Sequence, residues 1–99
     1  MKILLVCAGG LSSSIVMKKV EKYAGEIGED ISIDAVGVPQ VEEVYKNYDC
    51  VLTAPQVRNR NKQIEETCQG VPVAALPPAD YAIGNAKNIV ALAKKISNK

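Results

Sequence analysis

The sequence predicts an α/β fold: a four-stranded parallel sheet, order 2-1-3-4, with helices on both faces. Three observations carry that prediction. Short apolar runs alternate four times with longer segments of helical pattern, and such alternation implies right-handed crossovers between parallel strands. The opening run Ile3-Leu4-Leu5-Val6 has no polar interruption, as a central strand covered on both faces requires. By contrast, Ile31-Ser32-Ile33-Asp34-Ala35-Val36 alternates apolar and polar, which marks a half-exposed strand at a sheet edge.

The elements follow in order. The first strand is expected over residues 2–7. A helix over 12–26 sets Ile15, Val16, Lys19, Val20, Tyr23, Ala24 and Ile27 near helical spacing, with Ser12 as N-cap and Gly25 or Gly28 as its stop. After the edge strand at 31–36, Pro39 opens a short helix over 41–48. Residues 50–54 form the third strand, closed by Pro55, which cannot donate to a ladder and restrains its neighbour. A polar-faced helix over 57–69 stops at Gly70, and a fourth strand over 71–76 ends at Pro77-Pro78. The last helix, 85–96, turns Ile89, Val90, Leu92, Ala93 and Ile96 inward.

Composition narrows the function classes. Ninety-nine residues suit one domain over 1–99, and 47% hydrophobic with 23% charged residues reads as globular. The net charge of +1 is spread along the chain without a basic tract, so nucleic acid is not an expected partner. No run approaches the roughly 18 apolar residues of a membrane span, so no direct membrane insertion is expected. The apolar run before Cys7 is also too short for a signal-peptide core. Three cysteines, at 7, 50 and 68, form neither an even framework nor a CxxC pair. A reducing cytoplasmic setting without disulfides is the expectation. There is no histidine, which removes the commonest general base, the phosphohistidine role and the usual zinc nitrogen ligand. No metal and no cofactor are expected.

In such a sheet, ligands bind beyond the carboxyl ends of the strands where the order reverses, here between the first and third. That crevice receives Cys7 from one side and Pro55-Gln56 from the other. The segment Cys7-Ala8-Gly9-Gly10-Leu11-Ser12-Ser13-Ser14 has the makings of an anion site. A helix start offers free N–H groups and the positive end of the dipole. Gly9 and Gly10 let the backbone approach a ligand closely, Leu11 completes the loop, and Ser12, Ser13 and Ser14 add hydroxyls. A cysteine in such surroundings forms its thiolate more readily, attacks phosphorus, and leaves the charge on the oxygens to the donors. The competing reading is a cysteine buried as a small hydrophobe beside serines that merely cap a helix. For Cys50 and Cys68 that structural reading is preferred.

Three functions fit a thiol over an anion loop. A small cysteine-dependent phosphatase needs an arginine six residues after the nucleophile for bidentate phosphate binding, and Ser13 stands there. A loop of neutral donors instead holds a phosphocysteine long enough to pass it on, which favours a carrier. A non-enzymatic anion-sensing regulatory module is the third.

The loop resembles the phosphorylation loop of lactose/cellobiose-type enzyme IIB components of the bacterial phosphoenolpyruvate-dependent sugar phosphotransferase system, which reads roughly C-x-x-G-[ML]-S-[ST]-S at the end of the first strand. The likeness continues through Ile15-Val16-Met17-Lys18-Lys19, returns at Leu52-Thr53-Ala54-Pro55-Gln56, and covers essentially the whole chain. The resemblance implies a phosphotransferase. Cys7 would accept a phosphoryl group from a phosphohistidine of a IIA protein. It would pass the group to a sugar held by the membrane IIC permease, a cellobiose-, lactose- or chitobiose-like oligosaccharide. Gln56 either supports the loop, contacts the phosphoryl donor or simply caps a helix, and Arg58 or Arg60 either faces a phosphate or an acidic partner or is simply solvated. In Asp80-Tyr81-Ala82-Ile83-Gly84 the family's tyrosine is kept and its adjacent glycine is lost, which leaves the role of Tyr81 open.

Overall fold

The computed structural model describes residues 1–7 and 12–97, except for the side chains of Ser12 and Ser13. Strands β1 (Lys2–Cys7), β2 (Ser32–Gly37), β3 (Cys50–Thr53) and β4 (Val73–Ala75) are joined by helices α1 (Ser12–Glu26), α2 (Val38–Val44) and α3 (Asn61–Thr67). Two further helices, α4 (Pro78–Ile83) and α5 (Ala86–Ser97), close the chain. The strands form one parallel sheet in the order β2-β1-β3-β4, as the sequence predicts.

Strand alternation divides the core between two faces. Ile3, Leu5 and Cys7 of β1 and Cys50 and Leu52 of β3 face α1 and α5, against Val16, Val20, Ile89 and Ala93. Leu4 and Val6 of β1 and Val51 of β3 face α2 and α3, against Val41 and Ile64. Ile3, Leu4, Leu5 and Val6 have no exposed surface, so β1 is covered on both sides. β2 is exposed at Ser32 and Asp34, which makes it the edge its pattern foretells.

Four expectations need correction. The helix expected over 57–69 begins as a 3₁₀ segment, Pro55–Arg60, and becomes α-helical only at Asn61. Val57 buries its side chain at φ −115°, ψ 15°, dihedrals outside the helical region, so the continuous helix breaks there. It restarts where Thr53 Oγ1, buried at the end of β3, donates to Asn61 Oδ1 at 2.6 Å. Pro77-Pro78 ends β4 but also starts α4. Proline at the first helical positions loses no bond there, and Gly84 at φ 62° stops the helix, its N–H directed to the Asp80 and Tyr81 carbonyls. The helix expected over 41–48 is α-helical only to Val44, and a 3₁₀ turn, Tyr45–Asn47, follows. Ser12 is the first residue of α1, where the sequence suggested its cap, and Gly28 at φ 70°, not Gly25, marks its stop.

Candidate functional site

Each crossover carries the chain from a strand's carboxyl end to the amino end of the next helix. One end of the sheet therefore collects Cys7, the starts of α1 and α2, and the 3₁₀ segment Pro55–Arg60. Three of the four strands leave that end through a proline within two residues: Pro39 after Gly37, Pro55 after Thr53, Pro77 after Ala75. A residue without an N–H cannot extend the ladder, so the strands stop there.

Cys7 is the last residue of β1 and is 5% exposed. Its side chain belongs to the apolar cluster on the α1 and α5 side, with Tyr81 packed in the same cluster. The thiol donates to the Val36 carbonyl oxygen across the β1–β2 pair at 3.7 Å, so the sulfur leans toward β2. Gly37, register partner of Cys7, continues the alternation of Ile33 and Ala35 toward the same face. A methyl carbon built there would sit 2.8 Å from Gln40 Oε1 and 3.9 Å from the Cys7 carbonyl oxygen. The tip of Gln40 thus fills the place of the absent side chain, beside the end of β1.

On the other side, the Ala54 N–H donates to the Val6 carbonyl at 2.8 Å, which joins the exit of β3 to the last turn of β1. Gln56 and Arg58 follow on the 3₁₀ segment, both exposed, at the same end of the sheet as Cys7. Arg60 goes elsewhere. It lines a cavity of about 340 Å³ between α2 and α3, with Pro39, Glu42, Gln63 and Thr67. That cavity lies over the face opposite the sulfur, so it is not the place of cysteine chemistry. Ala8, Gly9, Gly10 and Leu11 lie outside the described residues, as do the side chains of Ser12 and Ser13. Ser14 is half-buried in the first turn of α1.

The other two cysteines are core residues at the far end of the sheet. Cys50 opens β3 with no exposed surface, and Cys68 follows α3 at 1% exposure. Burial pushes the Cys68 thiol above its ordinary range, which keeps it protonated and unreactive.

Sequence reasoning missed Gln40. Its signal was the glycine three residues earlier, whose dihedrals of −81° and 165° any residue can adopt. What Gly37 supplies is room, and no residue pattern advertises room.

The family model for the lactose/cellobiose-specific IIB subunit of the phosphotransferase system matches residues 2–92. The oligo-β-mannoside-specific EIIB component of Bacillus subtilis is 37% identical over 66% of this chain, and the match spans 63% of that relative's length. The galactose-specific EIIB component of Lactococcus lactis is 27% identical, with 97% of this chain and 95% of the relative covered. Among solved structures, the cellobiose-specific IIB component of Borrelia burgdorferi superposes with a TM-score of 0.84 at 35% identity, over 99% of this chain and 92% of that one. The lactose-specific IIB component of Streptococcus pneumoniae shares the fold, with a TM-score of 0.82 at 18% identity over 93% of each chain.

Proposed function

The chain belongs to the lactose/cellobiose-specific IIB family of the phosphotransferase system, and from that premise we infer that Cys7 is its phosphoryl carrier. One observation supports the reading most. Of the three cysteines, Cys7 alone stands at the carboxyl end of the sheet, at the switch between β1 and β3 and ahead of the start of α1.

In the forward step the Cys7 sulfur attacks the phosphorus of a phosphohistidine on a IIA protein. The thiol proton leaves to solvent, the S–P bond forms as the N–P bond breaks, and the electron pair of the N–P bond returns to the imidazole nitrogen. In the second step a sugar hydroxyl held by the IIC permease attacks phosphorus. The S–P pair returns to sulfur, and the hydroxyl proton leaves to solvent or to a base of the permease. Loop amides from Gly9 to Ser14 hold the phosphoryl oxygens throughout, neutral donors that stabilise the group without committing it to water. Gln56 and Arg58 flank the approach of the donor. The substrate is an oligosaccharide of the cellobiose, lactose or chitobiose kind. Relatives named for oligo-β-mannosides, galactose and cellobiose fit a division of labour in which the permease selects the sugar.

The test is phosphorylation by phosphoenolpyruvate with the general phosphotransferase proteins and a IIA partner. A thiophosphate phosphorus resonance, with the modification mapped to Cys7 and absent from Cys7→Ser, is the expected result. Modification at another residue, or sugar phosphorylation by Cys7→Ser, overturns the reading. Steady release of inorganic phosphate would make the chain a phosphatase instead.

A further inference from the structure

The exit of β2 carries a side chain that the loop chemistry does not use. Ile33, Ala35 and Gly37 alternate onto the face that holds Cys7, and Gly37 is its register partner. The space of the missing side chain is taken by the exposed carboxamide of Gln40, from the first turn of α2. The sulfur itself leans toward β2 through its bond to the Val36 carbonyl. Three features therefore lie at the same end of the β1–β2 pair: an absent Cβ, an amide tip in its place, and a thiol bonded to the Val36 carbonyl.

We propose that Gln40 is a phosphoryl-contacting residue, whose side-chain Nε2 donates a hydrogen bond to the group carried on Cys7. This rests on the phosphocysteine reading above. A carboxamide carries its donor and its acceptor on one carbon, so half a turn about the last torsion brings Nε2 to where Oε1 stands. The residue is neutral, which suits a group that must leave again; a lysine or arginine there would hold the charge more tightly. As the S–P bond forms and the N–P bond breaks, Gln40 neither gives nor takes a proton. It steadies an equatorial oxygen from the β2 side, while the loop amides act from the α1 side.

Gly37 makes the idea separable from a loss of the amide. Its backbone is extended, so Gly37→Ala adds a methyl without strain and pushes the flexible tip of Gln40 away from the crevice. Gln40→Ala removes the amide, and Gln40→Glu sets an anion against the phosphoryl charge.

The experiment loads each variant with phosphoenolpyruvate, the general phosphotransferase proteins and the IIA partner. Two quantities are followed: the loading rate, and the pH midpoint of the thiophosphate phosphorus resonance. A hydrogen bond to a charged group is worth roughly a factor of ten or more. Gln40→Ala and Gly37→Ala are expected to load about tenfold more slowly, with a raised midpoint because the dianion has lost a donor. Gln40→Glu loads more slowly still, and the unfolding midpoint of Gln40→Ala stays at the wild-type value. Loading within twofold of wild type in both alanine variants, with the midpoint unmoved, overturns the proposal. So does slower loading with an unmoved midpoint, which would assign Gln40 to the donor protein's surface. A wild-type chain that never shows a thiophosphate signal removes the phosphocysteine reading itself, a failure visible before any variant is made.

Discussion

The two ends of the sheet are built to opposite specifications. At the amino ends the chain is tied. The Lys2 N–H donates to Asp49 Oδ2 and the Asp49 N–H to the Lys2 carbonyl, each at 2.8 Å. The terminal ammonium donates to the Asp30 carbonyl at 2.8 Å, and Lys94 pairs with Glu29. At the carboxyl ends, prolines cut the strands off and the chain leaves through a glycine, a 3₁₀ segment and a short helix. Cys50 and Cys68 sit toward the tied end and Cys7 at the open one. One residue type serves packing at one end and, on the proposed reading, is offered to chemistry at the other, and position in the topology makes the difference.

Exchanging the cysteines is the hardest test of that contrast. Cys7→Ser should abolish phosphoryl transfer outright, since the hydroxyl is a far weaker nucleophile in the same place. Cys50→Ser should keep transfer and lose about 1–3 kcal/mol of stability, because a hydroxyl replaces a thiol in an apolar site. Urea unfolding measures the second effect and partner-dependent loading the first. Loss of transfer in a folded Cys50→Ser would break the division between the two ends.

The next effect concerns a buried side-chain tie at the open end. Thr53 has no exposed surface, and its hydroxyl donates to Asn61 Oδ1, whose Nδ2 donates in turn to Glu65 Oε1 at 3.2 Å. Thr53→Val keeps the volume and removes the donor, leaving a half-buried acceptor unmatched. The expected loss is about 1–2 kcal/mol, with faster amide exchange over 55–60 than over β1. Equal protection in the variant and wild type would show that the 3₁₀ segment does not depend on this bond.

Sequence alone carried much of this architecture. The uninterrupted run of β1 and the alternation of β2 fixed centre and edge, and hence the strand order, because burial on two faces or one writes itself directly into polarity. Cys7 at the switch point followed from that order. Less legible was whatever depended on how the chain turns at the open end. Pro77-Pro78 reads equally as a strand's stop and as a helix's start, and only the packing of Tyr81 into the cluster around Cys7 selects the helix. Val57 keeps helical spacing with Ile64, so its non-helical dihedrals leave no trace in the pattern. Gln40 fills a space left three residues earlier at the end of β2, a contact between elements that periodicity within one element cannot encode.

A smaller effect should appear in alkali, at the tied end. Burial raises the Cys68 thiol, so the folded chain keeps that proton to higher pH than the unfolded chain does. Stability is therefore level below about pH 8.5, where the unfolded thiol begins to ionise, and falls as pH rises beyond it. Tyr48 adds a second decline above about pH 10: desolvation, then its hydrogen bond at 2.9 Å to Asp34 and the charge of that carboxylate, hold its phenol protonated. Urea midpoints from pH 7 to 10 should trace the first decline, and Cys68→Ala should flatten it. An unchanged slope in that variant would place the titrating group elsewhere.

The smallest expected effect is also the sharpest check on the independence of the two ends. Lys94 and Glu29 pair across α5 and the turn after α1, with side chains 35% and 39% exposed. A pair so open to water contributes about 0.2–1 kcal/mol, and salt near 1 M, with a screening length of about 3 Å, should erase it. Glu29→Gln should lower the urea midpoint slightly at low salt and not at all at high salt. Its loading rate at Cys7 should match wild type, because nothing in this contact touches β1 beyond the chain start. A loading rate that moved with the ion pair would mean the ties at one end set the geometry of the crevice at the other, and the sheet would then be a lever between them instead of a wall.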